Sequence, residues 1–71
     1  MRKQTRVQAL ATSVIVTLRY DARYGVAHLT HDRSNQEAIE RLAQIAIDDG
    51  LSRAATVCMI ARELRAWECG I

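Results

Sequence analysis

The 71-residue chain contains no phenylalanine, and its aromatic side chains are one tryptophan and two tyrosines. Its core must therefore be built from aliphatic side chains and alanine, and the alanines bury little apolar area each. A monomer of this length hides only a little over half of the surface that its unfolded chain exposes. We therefore expect additional stabilisation from outside the chain, most simply by formation of a homodimer.

Cysteine is also scarce. If Cys58 and Cys69 belong to one helix, they lie roughly 16 Å apart, which is too far for a disulfide. Unpaired cysteines, together with the lack of a charged and then apolar leader at the start, predict a reducing, cytoplasmic setting. No stretch approaches the roughly 20 apolar residues of a membrane span, so no membrane partner is expected.

Patterns typical of enzymes and metal sites are missing as well. The chain has no glycine-rich phosphate loop, no nucleophile elbow and no pair of carboxylates outside helix surfaces and caps, so we expect no catalysis and no cofactor. His28, His31, Cys58 and Cys69 are metal-ligand residue types, but their spacing matches no zinc motif. A strand-end histidine and a core-lining Cys58 are the simpler interpretation, and we predict no metal.

Two amphipathic segments dominate the second half of the chain and predict helices over residues 34–49 and 52–68. Trp67 can belong to the core or form a partner-binding tip. The apolar stripes are Ala38, Ile39, Leu42, Ala43, Ile45, Ala46 and Ile47 in the first helix, and Val57, Ile60, Ala61, Leu64 and Trp67 in the second.

Capping residues mark the ends of these helices. Ser34 and Glu37 have the spacing of a capping box at the start of the first helix. Gly50 can adopt the left-handed conformation that closes it, and Ser52 can cap the next helix. The two segments therefore predict a helical hairpin.

The first half of the chain contains the strand signals. Residues 13–20 are dense in β-branched side chains and predict a strand, and residues 25–30 predict a second, weaker one. The predicted fold class is thus α+β, with an N-terminal β-strand or β-hairpin followed by a two-helix hairpin in an intertwined or packed homodimer. Residues 1–12 would be a basic, partly flexible arm, and residues 13–71 a single small domain.

Positive charge is concentrated in that first half. Residues 1–33 carry six basic and two acidic side chains, a net charge of +4, whereas residues 34–71 have a net charge of −2. The arm contributes Arg2, Lys3 and Arg6 without any anion. Such an arm is either a solvated, disordered terminus or a segment that follows nucleic-acid phosphates.

The strand Val16-Thr17-Leu18-Arg19-Tyr20, a helix, the turn Gly50-Leu51-Ser52-Arg53 and a second helix together resemble the ribbon-helix-helix family of small dimeric DNA-binding repressors. The similarity is best over residues 39–64. It implies that two chains pair their strands into a ribbon that enters the major groove.

The same resemblance implies the roles of four residues. Thr17 and Arg19 would face the bases, where an arginine can donate two hydrogen bonds to guanine. Ser52 and Arg53 would lie at a helix start that binds phosphate. The alternative for Arg19 is a solvated arginine on an edge strand.

We therefore predict a small non-catalytic transcriptional regulator that binds DNA as a dimer. The alternative is a small protein-binding modulator, such as an antitoxin or a phage-encoded inhibitor of a host nucleic-acid machine, for example an anti-CRISPR. Residues 21–33 discriminate between the two functions. An insertion beyond a paired ribbon favours DNA binding, whereas a hairpin formed within one chain leaves no free ribbon.

Overall fold

The structure, a computed structural model, describes residues 5–68. It contains three α-helices, α1 (Arg6–Tyr20), α2 (Arg33–Asp48) and α3 (Arg53–Glu68), and α1 is joined to α2 by two short 3-10 turns, Ala22–Tyr24 and Ala27–His31. Residues 5–68 contain no strand. The prediction of an α+β fold with an N-terminal strand is therefore wrong, and the described part of the chain is all-helical.

Residues 13–20, predicted as a strand, form the second half of α1. The helix begins with a capping box, in which the Thr5 hydroxyl accepts from the Gln8 N–H and the Gln8 side chain accepts from the Thr5 N–H. Ala11, Val14 and Leu18 are buried at helical spacing. A β-branched residue costs a helix only about half a kcal/mol, so burial of this stripe decides the local structure.

The second predicted strand, residues 25–30, is not formed either. Gly25 ends the first 3-10 turn in the left-handed conformation, with φ of 66°. Val26 is completely buried and anchors the connection in the core. The hydroxyl of Thr30 donates to the carbonyl oxygen of Ala27 over 2.7 Å. The buried Val26 side chain and this short-range hydrogen bond hold the segment in place without a neighbouring strand.

The N-cap residue of α2 is not the one that the sequence predicts. Asp32 is the N-cap, and its carboxylate accepts from the Ser34 N–H over 2.8 Å. The predicted Ser34 cap is therefore wrong, because Ser34 already lies in the first turn. Side chains of the same turn bind the preceding connection: Asn35 donates to the Leu29 carbonyl and Gln36 to the Thr30 carbonyl.

The turn between α2 and α3 has the predicted chemistry. Gly50 has φ of 69°, its N–H donates to the Ile47 carbonyl, and the Leu51 N–H donates to the Ala46 carbonyl over 2.9 Å. These two bonds form a Schellman motif, which confirms Gly50 as the closing residue. The Ser52 hydroxyl accepts from the Ala55 N–H over 3.1 Å, which confirms Ser52 as the cap of α3.

The core lies where α1 packs against α2, α3 and the 3-10 connection. Trp67, predicted in the α3 stripe, is 41% exposed, whereas Thr56, which lies outside that stripe, is fully buried with its hydroxyl donating to the Ser52 carbonyl. This core closes within one chain, and the homodimer stays a prediction. The buried cluster consists of Ala11, Val14, Leu18, Val26, Ile39, Ala43, Val57, Ile60, Ala61 and Leu64.

Candidate functional site

Arg53, the first residue of α3, is held against α1 by two hydroxyl groups. Its Nε donates to Ser13 Oγ over 2.9 Å, and its Nη2 donates to Thr17 Oγ1 over 2.6 Å. Ser13 and Thr17 are four residues apart, so the helical conformation of α1 places them on one face, one turn apart. Two of the predicted site residues, Thr17 and Arg53, are thus in direct contact.

The polarity of this contact is determined by the helix. Thr17 has one hydroxyl hydrogen, and it is donated to the Ser13 carbonyl within α1 over 2.9 Å. The lone pairs of the Thr17 oxygen are therefore directed to the Arg53 guanidinium. The Arg53 side chain is oriented by neutral acceptors, and its positive charge is retained.

No carboxylate lies within ion-pair distance of Arg53 among residues 5–68. Two other arginines do have such partners. Arg23 pairs with Asp21 over 2.7 Å, and its hydrogen bonds hold the pKa of that carboxyl below the usual value. Arg33 lies 3.8 Å from Glu37 on the next turn of α2. Arg53 is therefore an oriented but uncompensated cation.

Arg53 also lines an open groove of about 460 Å³, where the start of α1, the end of α2 and the start of α3 meet. We call it the α1–turn groove. Its side chains are mostly aliphatic, and an arginine comes from each of α1 and α3. It is lined by Arg6, Ala9, Leu10, Ile47, Gly50, Leu51 and Arg53.

Arg19, predicted to read bases, is instead bonded within the chain. Its Nε donates to the Thr30 hydroxyl over 3.0 Å, and its Nη2 donates to the Thr30 carbonyl over 3.3 Å. Thr30 is fully buried. The described conformation therefore directs the Arg19 guanidinium to the 3-10 connection, where it links α1 to the segment before α2.

The remaining predicted site residues do not form one cluster. The Ser52 hydroxyl caps the start of α3, and Arg6 lines the α1–turn groove. Arg2 and Lys3 lie outside the described residues. The structure thus brings Arg53 into contact with Thr17 and into the groove that Arg6 also lines, while Arg19 is bonded elsewhere.

Polar contacts also attach the 3-10 connection to the end of α3. The Arg65 guanidinium donates two hydrogen bonds to the Tyr24 carbonyl, at 2.9 and 3.2 Å, and the His28 ring pairs with the Glu68 carboxylate. Partial burial, followed by the neighbouring Cys58 thiol, raises the pKa of Tyr24. None of the residues in these contacts lines the groove.

Sequence reasoning missed Ser13 and the aliphatic lining of the groove. Once residues 13–20 are read as a helix, the four-residue spacing of Ser13 and Thr17 is a usable signal. Leu10 and Ile47 carried no such signal, because their proximity depends on how α1 packs against α2.

Comparisons with protein-family models, curated proteins and solved structures each found no match to this chain. Residues 5–68 contain no cluster of three or more His, Cys, Asp or Glu side chains that could hold a metal ion. None of the helices in that range combines the length and apolar character that crossing a membrane requires.

Proposed function

We propose that this protein is a small, non-catalytic interaction module that binds a segment of a partner protein in the α1–turn groove. The observation that supports the proposal is the groove itself, in which aliphatic side chains and two arginines face the same open volume. Recognition sites for peptide segments combine an apolar surface with a few polar groups that orient the ligand.

The exposure of Leu51 supports this function. Its side chain is 42% exposed although it adjoins Ile47 and Leu10 in the groove. Covering a partly exposed aliphatic side chain with an apolar group of a partner removes both from water, at about 25 cal/mol per Å² of apolar surface. A bound segment would therefore gain from the contact without any rearrangement of the core.

The structure does not support DNA recognition by a paired ribbon, because the segment predicted to form the ribbon strand is helical and the Arg19 side chain is hydrogen-bonded to Thr30. Residues 5–68 carry eight basic and eight acidic side chains and are formally neutral. Such a body lacks the strong basic field that is typical of nucleic-acid binding. DNA binding through Arg2, Lys3 and Arg6 stays a prediction, but the predicted flexible arm does not extend over residues 6–12, because α1 begins at Arg6.

The experiment is a selection of short randomised peptides, displayed on phage, against the immobilised full chain. We expect enriched peptides whose binding is lost in Leu51→Asp, since a charge in the groove must be desolvated by an apolar ligand. Ile45→Asp is the matched control, because Ile45 is 50% exposed and does not line the groove.

The proposal fails if no peptide is enriched, or if the enriched peptides bind Leu51→Asp as tightly as the parent. Circular dichroism of both variants verifies that they remain helical.

A further inference from the structure

We propose that the segment bound in the α1–turn groove is acidic, with carboxylates that pair with Arg53 and Arg6 beside an apolar side chain that enters the groove. This inference rests on the proposed function and adds the chemistry of the ligand. It commits to Asp and Glu side chains of a peptide as the groups recognised.

Arg53 is suited to receive a carboxylate because its side chain is already oriented. The hydroxyls of Ser13 and Thr17 hold Nε and Nη2, while the guanidinium has further N–H groups without partners among residues 5–68. An arginine can bind a carboxylate through two parallel hydrogen bonds, and such charge-assisted bonds are among the strongest in proteins. A side chain that is held in place before binding loses less conformational entropy when the ligand arrives.

The surroundings of the groove favour an anion as well. Arg6 and Arg53 are the first residues of α1 and α3, and neither helix has an acidic residue in its first turn. The positive ends of the α1 and α3 dipoles therefore both border the groove without a first-turn carboxylate to offset them, and they outnumber the single negative end of α2 that borders it as well. Asp48 and Asp49 precede the turn but do not line the groove, and Asp48 accepts a hydrogen bond from Gln44.

The aliphatic lining favours a peptide over a nucleic acid. A phosphate backbone would use the two arginines and leave Leu10, Ile47 and Leu51 without an apolar partner. An acidic segment with one aliphatic or aromatic side chain complements both parts of the groove. Charge and shape thus point to the same class of ligand.

The test uses peptides enriched from the randomised library, synthesised with a fluorescent label, beside copies in which each Asp and Glu is replaced by Asn and Gln. Anisotropy titrations are made with the full chain, with Arg53→Gln and with Arg62→Gln. Arg62 is the matched control, because it is an exposed arginine of α3 that does not line the groove.

We expect the amide copies to bind the parent roughly tenfold or more weakly than the acidic peptides, as for a lost hydrogen bond to a charged group. Arg53→Gln should reduce that preference severalfold, and Arg62→Gln should leave it unchanged. The double variant Ser13→Ala with Thr17→Val should lie between the parent and Arg53→Gln, since it retains the charge but removes the groups that orient it. Added salt should weaken binding of the acidic peptides more than that of the amide copies.

Equal binding of acidic and amide peptides overturns this inference. If binding of those peptides is still lost in Leu51→Asp, the proposed function stands and only the inference of an acidic ligand is rejected. Tighter, Arg53-dependent binding of duplex DNA than of any selected peptide also overturns the inference, in favour of a nucleic-acid ligand.

Discussion

Replacement of Leu18 by alanine tests the helical conformation of the segment whose sequence predicts a strand. In a strand, Val16, Leu18 and Tyr20 would share one buried face. In α1, Leu18 is fully buried, whereas Val16 is 48% exposed and Tyr20 is 85% exposed. Replacing each of these three residues by alanine in turn therefore distinguishes a strand from a helix.

The expected magnitudes follow from these exposures. Leu18→Ala removes a completely buried side chain from between α1 and its neighbours and should cost about 2 to 5 kcal/mol of unfolding free energy. Val16→Ala and Tyr20→Ala should each cost about 1 kcal/mol or less, because their side chains already contact water. A domain of this length has roughly 4 to 10 kcal/mol of total stability, so Leu18→Ala is expected to remove a large part of it.

The assay is urea unfolding followed by circular dichroism, with Trp67 fluorescence as a second probe. A chain this small has a urea dependence of about 1 kcal/mol per molar, so the midpoint of Leu18→Ala should fall by roughly 2 M or more. If the three variants lose similar stability, or if Tyr20→Ala loses the most, the placement of residues 13–20 in an amphipathic helix is refuted.

Four further outcomes can be checked with the same unfolding assay or one additional measurement. Asp32→Ala should lower the unfolding free energy by about 1 kcal/mol and Ser34→Ala by much less, because Asp32 is the cap of α2; the reverse order would restore the Ser34 cap. Gly50→Ala should cost about 1 kcal/mol through its positive φ alone, since no atom lies within 4 Å of the added methyl group; an unchanged midpoint would contradict that. The depressed pKa of Asp21 predicts a contribution to stability that is present above the unfolded-state pKa and is lost as the pH falls through the folded value, so Asp21→Asn should flatten the acid limb of the stability profile. The predicted homodimer should scatter light as twice 8.0 kDa, and a folded species of 8.0 kDa at micromolar concentration would exclude it.

The candidate site was predictable only in part. Thr17 and Arg53 were singled out by the resemblance to the ribbon-helix-helix family, as a base-facing residue and a phosphate-binding cation, and Arg6 as a cation of the basic arm. Their contact could not be predicted, because it requires Ser13 and Thr17 on one turn of α1 and the start of α3 packed against that turn. Such a meeting of distant segments depends on how three helices pack, which no local pattern encodes.

The sequence by itself determined α2, α3 and the turn between them. Sustained apolar periodicity, a glycine that can adopt positive φ and a serine at the next helix start are local signals, and each acts within a few residues. The interpretation of residues 1–12 as a partly flexible arm overlooked the capping box of Thr5 and Gln8, which is an equally local signal for the start of α1. Tertiary packing decided the rest of α1, because the preference of β-branched residues for strands is weak compared with the burial of Val14 and Leu18.

Tertiary contacts also decided where α2 begins. Asp32 and Ser34 are both good caps and compete within two residues. The structure favours Asp32 because Asn35 and Gln36, inside the first turn, donate to the carbonyls of Leu29 and Thr30. Those carbonyls belong to a connection that is positioned by the buried Val26, so the choice between two locally acceptable starts depends on the packed core.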